Sequence, residues 1–242
     1  MNIQDSAVGA PDGQGASSRL ETVEVCTGPK PTAAVIWLHG LGADGHDFEP
    51  LVPELSWTGA PDIRYVFPHA PVRPVTINGG MAMRAWYDIQ GLTSERDHDE
   101  RGIAESVNQA AALVRRELDR GIAAGRIVVA GFSQGGAIAL QLALRYPERL
   151  AGLIALSTYL LFDDRLERDA HAANRGLPVF IGHGSQDPMV PVQLGERAAS
   201  RLRGLDYDVE FHRYAMPHAV CAEEIADLAA WLRARLGGTT QE

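Results

Sequence analysis

The stretch Ile127-Val128-Val129-Ala130-Gly131-Phe132-Ser133-Gln134-Gly135-Gly136 decides the fold of this chain. It begins with an apolar run typical of a strand buried on both faces, and it leads into a small-residue segment that predicts the start of a helix. Between them, Gly131 to Gly135 fits the Gly-x-Ser-x-Gly pattern of a nucleophile elbow, in which a strained turn points a serine hydroxyl outward. The alternative is a passive serine in a glycine-rich turn, and the strand–turn–helix context favours the nucleophile.

The rest of the chain alternates short apolar runs with longer segments of helical periodicity. This order is typical of a single α/β domain with a mostly parallel central sheet and helices on both faces. The predicted strands are Thr22–Cys26, Ala33–Leu38, Ile63–Phe67, Ile127–Ala130, Leu150–Leu156, Pro178–Ile181 and Val209–Arg213. The predicted helices are Phe48–Leu55, Gly102–Asp119, Gly135–Arg145, Val192–Leu205 and Ala222–Leu236. Residues 68–101 fit neither pattern and are predicted to form a long irregular loop, either the wall of a pocket or a surface excursion.

Length, composition and charge exclude several classes of protein. The 242 residues, 45% of them hydrophobic, suit one domain at residues 19–238, preceded by a Gly-, Ala- and Ser-rich tail at residues 1–18 that is expected to be disordered. No apolar run reaches the roughly 18 residues of a membrane span, which predicts no stable membrane insertion. The net charge of −9, without a basic run, argues against a nucleic-acid partner. Cys26 and Cys221 match no metal-site spacing, so we expect no metal, two buried thiols and a cytoplasmic location.

A serine nucleophile needs a histidine base, which in a fold built on such an elbow comes after an acidic residue that follows the serine. Four histidines lie downstream of Ser133, namely His171, His183, His212 and His218. His171 and His212 lie in polar or alternating segments, and His183 is expected to shape its Gly-His-Gly turn. His218 follows the last predicted strand and precedes the last helix, at the sheet edge where catalytic groups gather. It is the predicted base, with His183 as the alternative.

Asp187 is the predicted acid because it follows the strand Pro178–Ile181 by a short loop and precedes the histidine loop. Asp163 and Asp164 are the alternatives, although they resemble a solvated pair. The acid would orient the imidazole and stabilise its charged form.

The oxyanion of an acyl-transfer intermediate needs two backbone N–H donors. One should belong to Gln134, the residue after the nucleophile, and the other to Leu41 in the loop that follows the strand Ala33–Leu38. His39 precedes that donor and is expected to brace the loop.

Several separate blocks of sequence resemble the phospholipase/carboxylesterase family of α/β-hydrolases, which includes acyl-protein thioesterases. The blocks are Leu38-His39-Gly40-Leu41-Gly42, Thr76-Ile77-Asn78-Gly79-Gly80, Trp86-Tyr87-Asp88-Ile89, Gly131 to Gly136, His183-Gly184-Ser185-Gln186-Asp187 and His218-Ala219-Val220-Cys221. The resemblance implies Ser133, Asp187 and His218 as the triad, with oxyanion amides from Leu41 and Gln134. It also implies an enzyme without cofactors that often forms homodimers. Thr158 and Pro217 stand where the family usually has glycine.

These observations predict a cytoplasmic serine carboxylesterase that hydrolyses short- to medium-chain esters through an acyl-enzyme. Met81, Met83, Trp86 and Leu160 are the candidate lining of its acyl pocket, and the resemblance places Trp86 at the substrate entrance. The alternatives are an acyl-protein thioesterase or lysophospholipase and, from another class, a non-catalytic binding protein on a hydrolase fold. The expected partner is a small ester or thioester substrate.

Overall fold

Two β-sheets organise the chain in a computed structural model that describes residues 20–91 and 98–238. The strands are β1 (Thr22–Cys26), β2 (Ala33–Leu38), β3 (Ile63–Pro68), β4 (Val72–Val75), β5 (Met81–Arg84), β6 (Ile127–Phe132), β7 (Gly152–Leu156), β8 (Pro178–Gly184) and β9 (Asp208–Tyr214). The central sheet has the order β1-β3-β2-β6-β7-β8-β9, and β4 pairs with β5 in a separate hairpin. Every pair in the central sheet is parallel except β1 with β3.

Helices cover both faces of the central sheet, as the alternating pattern predicts. They are α1 (Glu100–Asp119), α2 (Gln134–Arg145), α3 (Leu166–Asp169), α4 (Val192–Arg203) and α5 (Ala222–Leu236). Side chains alternate along β2, so Ala34 and Ile36 join the core under α1, α2 and α4, whereas Val35 and Trp37 join the core under α5. The predicted fold class is confirmed. Within the described residues, every helix is too short or too polar to cross a lipid bilayer.

Two local predictions of secondary structure are wrong. The segment predicted as the helix Phe48–Leu55 forms only a 3₁₀ turn at Glu49–Leu51 followed by further turns, because Pro53 has no N–H to continue an α-helix. The predicted loop at 68–101 contains the β4–β5 hairpin instead. Its turn uses Gly79 and Gly80 at φ of 66° and 79°, a region that favours glycine.

The cysteines are also more accessible than predicted. Cys26 is exposed and Cys221 is half-buried, and neither is in a disulfide. The predicted domain bounds at 19 and 238 stay a prediction, and the predicted tail at 1–18 lies outside the described residues.

The parallel strands explain why the candidate residues meet. β6, β8 and β9 all run in the same direction, so the segments that follow them emerge at one edge of the sheet. Ser133 follows β6, Asp187 follows β8 and His218 follows β9. Residues far apart along the chain are thereby brought to one edge.

Candidate active site

Ser133 occupies a strained turn between β6 and α2. Its backbone has φ 53° and ψ −121°, a region that non-glycine residues rarely adopt, at a typical cost of about 1–3 kcal/mol. The turn is held by two hydrogen bonds to neighbouring elements. The N–H of Ser133 donates to the carbonyl of Leu156 at 2.8 Å, and its own carbonyl accepts from the Thr158 hydroxyl at 2.6 Å. The side chain therefore projects from a backbone that the surrounding strands keep in place.

The glycines of the elbow are required by close backbone packing. A Cβ added to Gly131 would lie closer than 3.0 Å to the backbone of Gly135 and Gly136. A Cβ added to Gly135 would lie closer than 3.0 Å to the carbonyl oxygens of Leu38 and His39. The same glycines that define the sequence pattern let α2 approach β2 and β6.

Ser133, His218 and Asp187 form a continuous chain of hydrogen bonds. His218 Nε2 lies 3.0 Å from Ser133 Oγ, and His218 Nδ1 lies 2.6 Å from Asp187 Oδ2. The other carboxylate oxygen of Asp187 accepts the backbone N–H groups of Met189 and Val190, each at 2.8 Å. The Asp187 side chain is fully buried, which strengthens a charge-assisted hydrogen bond. This arrangement can move the serine proton to an imidazole whose charged form the carboxylate stabilises.

The alternative residues are engaged elsewhere. His183 is fully buried, and its Nε2–H donates to the Val190 carbonyl at 2.8 Å, while burial lowers the pKa of its imidazole and keeps it neutral. Its Nε2 lies 3.6 Å from Asp187 Oδ2, so it supports the loop that carries the candidate acid. Asp163 pairs with Arg201 at 2.9 Å. The structure thus brings together the triad favoured by the sequence and leaves its alternatives outside the hydrogen-bonded chain.

The two predicted oxyanion donors belong to segments that border Ser133. Gln134 is the first residue of α2, so its N–H has no acceptor within the helix and lies at the positive end of the helix dipole. Among the described residues, no acceptor is found for the N–H of Leu41. The preceding Gly40 passes close to the elbow, since a Cβ added there would meet the Phe132 ring at 3.2 Å and Ser133 Cβ at 3.5 Å. Both predicted donors thus belong to segments that border the nucleophile.

His39 braces the loop that carries Leu41. Its Nε2 accepts the backbone N–H of Ala70 at 3.0 Å, so its Nδ1 carries the proton and donates to the Gly40 carbonyl at 2.7 Å. Burial lowers the pKa of His39 to about 4, which keeps the ring in this neutral form at physiological pH. The geometry agrees with the bracing role expected from the sequence.

Comparison with known proteins identifies the family. Residues 21–236 match the phospholipase/carboxylesterase family. The chain belongs to that family. The resemblance noted in the sequence blocks is confirmed.

Curated relatives of this family member carry the name acyl-protein thioesterase 1. The protein of that name from Mycosarcoma maydis is 40% identical over 221 residues, covering 85% of this chain and 92% of that protein. The one from Cryptococcus neoformans is 39% identical over 219 residues, covering 83% and 91%. The crystal structure of Arabidopsis thaliana SOBER1 matches with a TM-score of 0.78 at 30% identity, covering 84% of this chain and 99% of that chain. The phospholipase/carboxylesterase described here is accordingly a serine hydrolase of the carboxylic ester hydrolase class, which argues against a non-catalytic binding protein.

The candidate pocket residues of this phospholipase/carboxylesterase differ in accessibility. Met81 is 64% exposed at the start of β5, whereas Met83 and Leu160 are half-buried. Trp86 is 0% exposed, and its indole N–H donates to the His39 carbonyl at 2.9 Å. The Trp86 ring thus has no exposed surface and is used for packing and for one buried hydrogen bond, while a substrate contact by this residue stays a prediction.

Sequence reasoning missed what two other side chains do. Thr158, noted only as a departure from the family pattern, donates to the Ser133 carbonyl and lies against Gly136, where an added Cβ would come within 3.0 Å of it. The Gln134 side chain is 1% exposed and hydrogen bonds to the segment around Trp86. The sequence signal for this contact was a polar residue, Gln134, directly after the nucleophile. It did not reveal the partner, because Trp86 lies 48 positions away along the chain.

The second departure, Pro217, lies in a tight turn. Its carbonyl accepts the N–H of Ala219 at 2.9 Å, and this turn carries His218. The turn packs on Gly184, where an added Cβ would come closer than 3.0 Å to the carbonyl oxygens of Pro217 and Met216.

Within the described residues, no group of three or more His, Cys, Asp or Glu side chains could hold a metal ion. The absence of a metal or cofactor in the reaction stays a prediction.

Proposed function

We propose that this enzyme hydrolyses carboxylic esters through an acyl-enzyme formed on Ser133. The observation that carries the proposal is the hydrogen-bonded chain from the Ser133 hydroxyl through His218 to Asp187, attached to a strained elbow. The hydroxyl oxygen attacks the acyl carbonyl carbon while its proton moves to His218 Nε2. The resulting oxyanion would accept hydrogen bonds from the N–H groups of Leu41 and Gln134.

The intermediate then collapses and expels the leaving group. The carbon–oxygen bond of an ester, or the carbon–sulfur bond of a thioester, breaks as His218 returns its proton to the departing alcohol or thiol. A water molecule enters, gives its proton to the same imidazole and attacks the acyl-serine. Release of the carboxylic acid restores the Ser133 hydroxyl, so the cycle balances without a cofactor.

Asp187 has two tasks in this mechanism. Its Oδ2 accepts Nδ1–H of His218, which keeps Nε2 free to act as a base and stabilises the imidazolium that forms. Its Oδ1 is held by two backbone N–H groups, so the carboxylate cannot rotate away without losing both hydrogen bonds.

For the substrate we propose short- to medium-chain esters, with the half-buried Met83 and Leu160 as apolar contacts and Met81 as the exposed one. The second candidate is the thioester of an acylated protein, favoured by the name of the relatives at 39% and 40% identity, with lysophospholipids as a further lipid substrate.

The two unpaired cysteines support a cytoplasmic location. A homodimer and the absence of a nucleic-acid partner remain predictions from the sequence.

The proposal is tested by Ser133→Ala together with a substrate series. We expect p-nitrophenyl ester hydrolysis to fall by about 10⁶-fold, because losing the nucleophile of a triad removes nearly all of its catalysis. A fluorophosphonate probe should label the wild type but not Ser133→Ala or His218→Ala. An optimum among p-nitrophenyl esters from acetate to octanoate supports the first substrate, and an optimum at palmitate, with faster cleavage of an S-acylated peptide, supports the second. Full activity of a folded Ser133→Ala variant would refute the mechanism.

A further inference from the structure

Trp86 connects the interior of the protein to the loop of one candidate oxyanion donor. Its indole N–H donates to the carbonyl of His39, and its ring lies beside the His39 imidazole with centroids 5.4 Å apart. His39 begins the loop that carries Leu41. The position of the His39 carbonyl therefore sets the direction of the backbone that leads to the N–H of Leu41. The contact is completely buried, and a carbonyl that lost it would have no water to replace the donor.

Gln134 connects the same tryptophan to the other candidate donor. Its Oε1 accepts the backbone N–H of Trp86 at 2.8 Å, and its Nε2 donates to the backbone carbonyl of Tyr87 at 2.8 Å. Gln134 thus has two roles. Its backbone N–H is one predicted oxyanion donor, and its side chain holds Trp86, which supports the loop of the other predicted donor, Leu41. The bridge runs from α2 through Trp86 to the end of β2.

The bridge is anchored on its far side by α1. The Trp86 carbonyl accepts the hydroxyl of Ser106, which is buried in α1. The N–H of Asp88 donates to the Asp99 carboxylate at 3.0 Å, and Asp99 also caps the N-terminus of α1. Since the backbone around Trp86 is held from both sides, its indole is a fixed support rather than a mobile side chain.

We propose that Trp86 and the Gln134 side chain are positioning residues that set the separation of the two oxyanion donors. The inference rests on the proposed function of the Leu41 and Gln134 amides. An oxyanion gains from two donors only if both lie at about 2.7–3.1 Å from it, and here the donors come from different elements that no covalent turn joins. The buried hydrogen bonds of Trp86 provide that connection, which explains why the indole points inward rather than toward a substrate.

The test is Trp86→Phe, which keeps an aromatic ring and removes the hydrogen bond to His39. We expect kcat to fall about tenfold with KM unchanged, since complete loss of one oxyanion donor typically costs about 10²–10³ in rate and displacement should cost less. The inhibition constant of an alkyl trifluoromethyl ketone, which binds a serine hydrolase as a tetrahedral oxyanion, should rise by the same factor.

Trp231→Phe is the matched control. Trp231 is also buried, in α5 against Gly152, and no acceptor is found among the described residues for its indole N–H. Its substitution makes the same chemical change without breaking a hydrogen bond, so kcat and the inhibition constant should stay at wild-type values. Thermal unfolding of both variants identifies any general loss of structure.

Gln134→Met provides a second variant that keeps the backbone donor and removes both side-chain hydrogen bonds. We expect the same loss of kcat, and a double variant with Trp86→Phe should lose less than the product of the two single losses, because both act on one bridge. The inference is overturned if Trp86→Phe matches Trp231→Phe, or if it raises KM with kcat intact, as loss of a substrate contact would. An active Ser133→Ala variant would instead refute the proposed function itself.

Discussion

Glu224 is a buried carboxyl group whose protonation should make the stability of this enzyme depend on pH. It is 0% exposed in the first turn of α5, lies against Gly182 of β8, and neither of its oxygens has a hydrogen-bond partner within the described residues. Burial, and secondarily the negative charge of Asp227, raise its pKa from 4.5 to about 8. The folded enzyme therefore keeps this side chain as a neutral acid at physiological pH.

The sign and size of the effect follow from proton linkage. In the unfolded chain Glu224 releases its proton near its ordinary pKa of 4.5, whereas the folded chain retains the proton to about pH 8. Between these values the unfolded state binds fewer protons, so the free energy of unfolding falls as the pH rises, by at most about 1.4 kcal/mol per pH unit. The accumulated loss between about pH 5 and about pH 8 is about 3 kcal/mol.

Glu224→Gln removes this titration while keeping the shape of the side chain. Near about pH 5 the variant should resemble the wild type, and by about pH 8 its free energy of unfolding should exceed that of the wild type by about 3 kcal/mol. Urea unfolding followed by tryptophan fluorescence across this pH range measures the difference. Glu223→Gln is the control, because Glu223 is the exposed neighbour in the same turn and the variant carries the same replacement of a carboxyl group by an amide. Parallel curves for Glu224→Gln and the wild type would refute the assignment of a neutral buried acid.

Two further substitutions test the active site and the elbow. Asp187→Asn should lower kcat by about 10⁴-fold, because the amide NH₂ would favour the His218 tautomer that carries its proton on Nε2 and cannot act as a base. The rate of ester hydrolysis measures this loss. A loss of less than about tenfold would contradict the role of Asp187. Gly135→Ala should reduce the free energy of unfolding by about 1–3 kcal/mol and impair hydrolysis, since its Cβ would overlap two backbone carbonyls at the end of β2. Gly125→Ala, whose Cβ would find its nearest atom at 4.0 Å, is the control, and equal unfolding curves for the two alanine variants would contradict the packing argument.

The fold and the hydrogen-bonded arrangement of Ser133, His218 and Asp187 were predictable because their signals are local. The apolar run of β6, the glycines of the elbow and the helical start of α2 are contiguous, and the packing distances explain why Gly131 and Gly135 cannot be larger. Given a parallel sheet, chain order alone brings the segments after β6, β8 and β9 to one edge. His218 is preferred over His183 because it follows the predicted acid Asp187 along the chain, whereas His183 precedes it within a Gly-His-Gly turn.

The errors arose where local patterns compete. Apolar spacing favours a helix at Phe48–Leu55, but Pro53 stops it and the apolar side chains pack from turns instead. The β4–β5 hairpin was missed because its strands are short and one contains Pro74, which weakens a strand pattern.

The α/β architecture, the strained serine turn and the family could be read from the sequence, since hydrophobic periodicity, glycine spacing and short motifs are properties of neighbouring residues. Tertiary contacts were needed to show that Trp86 faces inward to the His39 carbonyl, and that the Glu224 carboxyl has no hydrogen-bond partner among the described residues. The physical reason is that hydrogen bonding and desolvation depend on which distant residues surround a group. The residues that create those surroundings are separated along the chain and meet only when the sheet and its helices assemble.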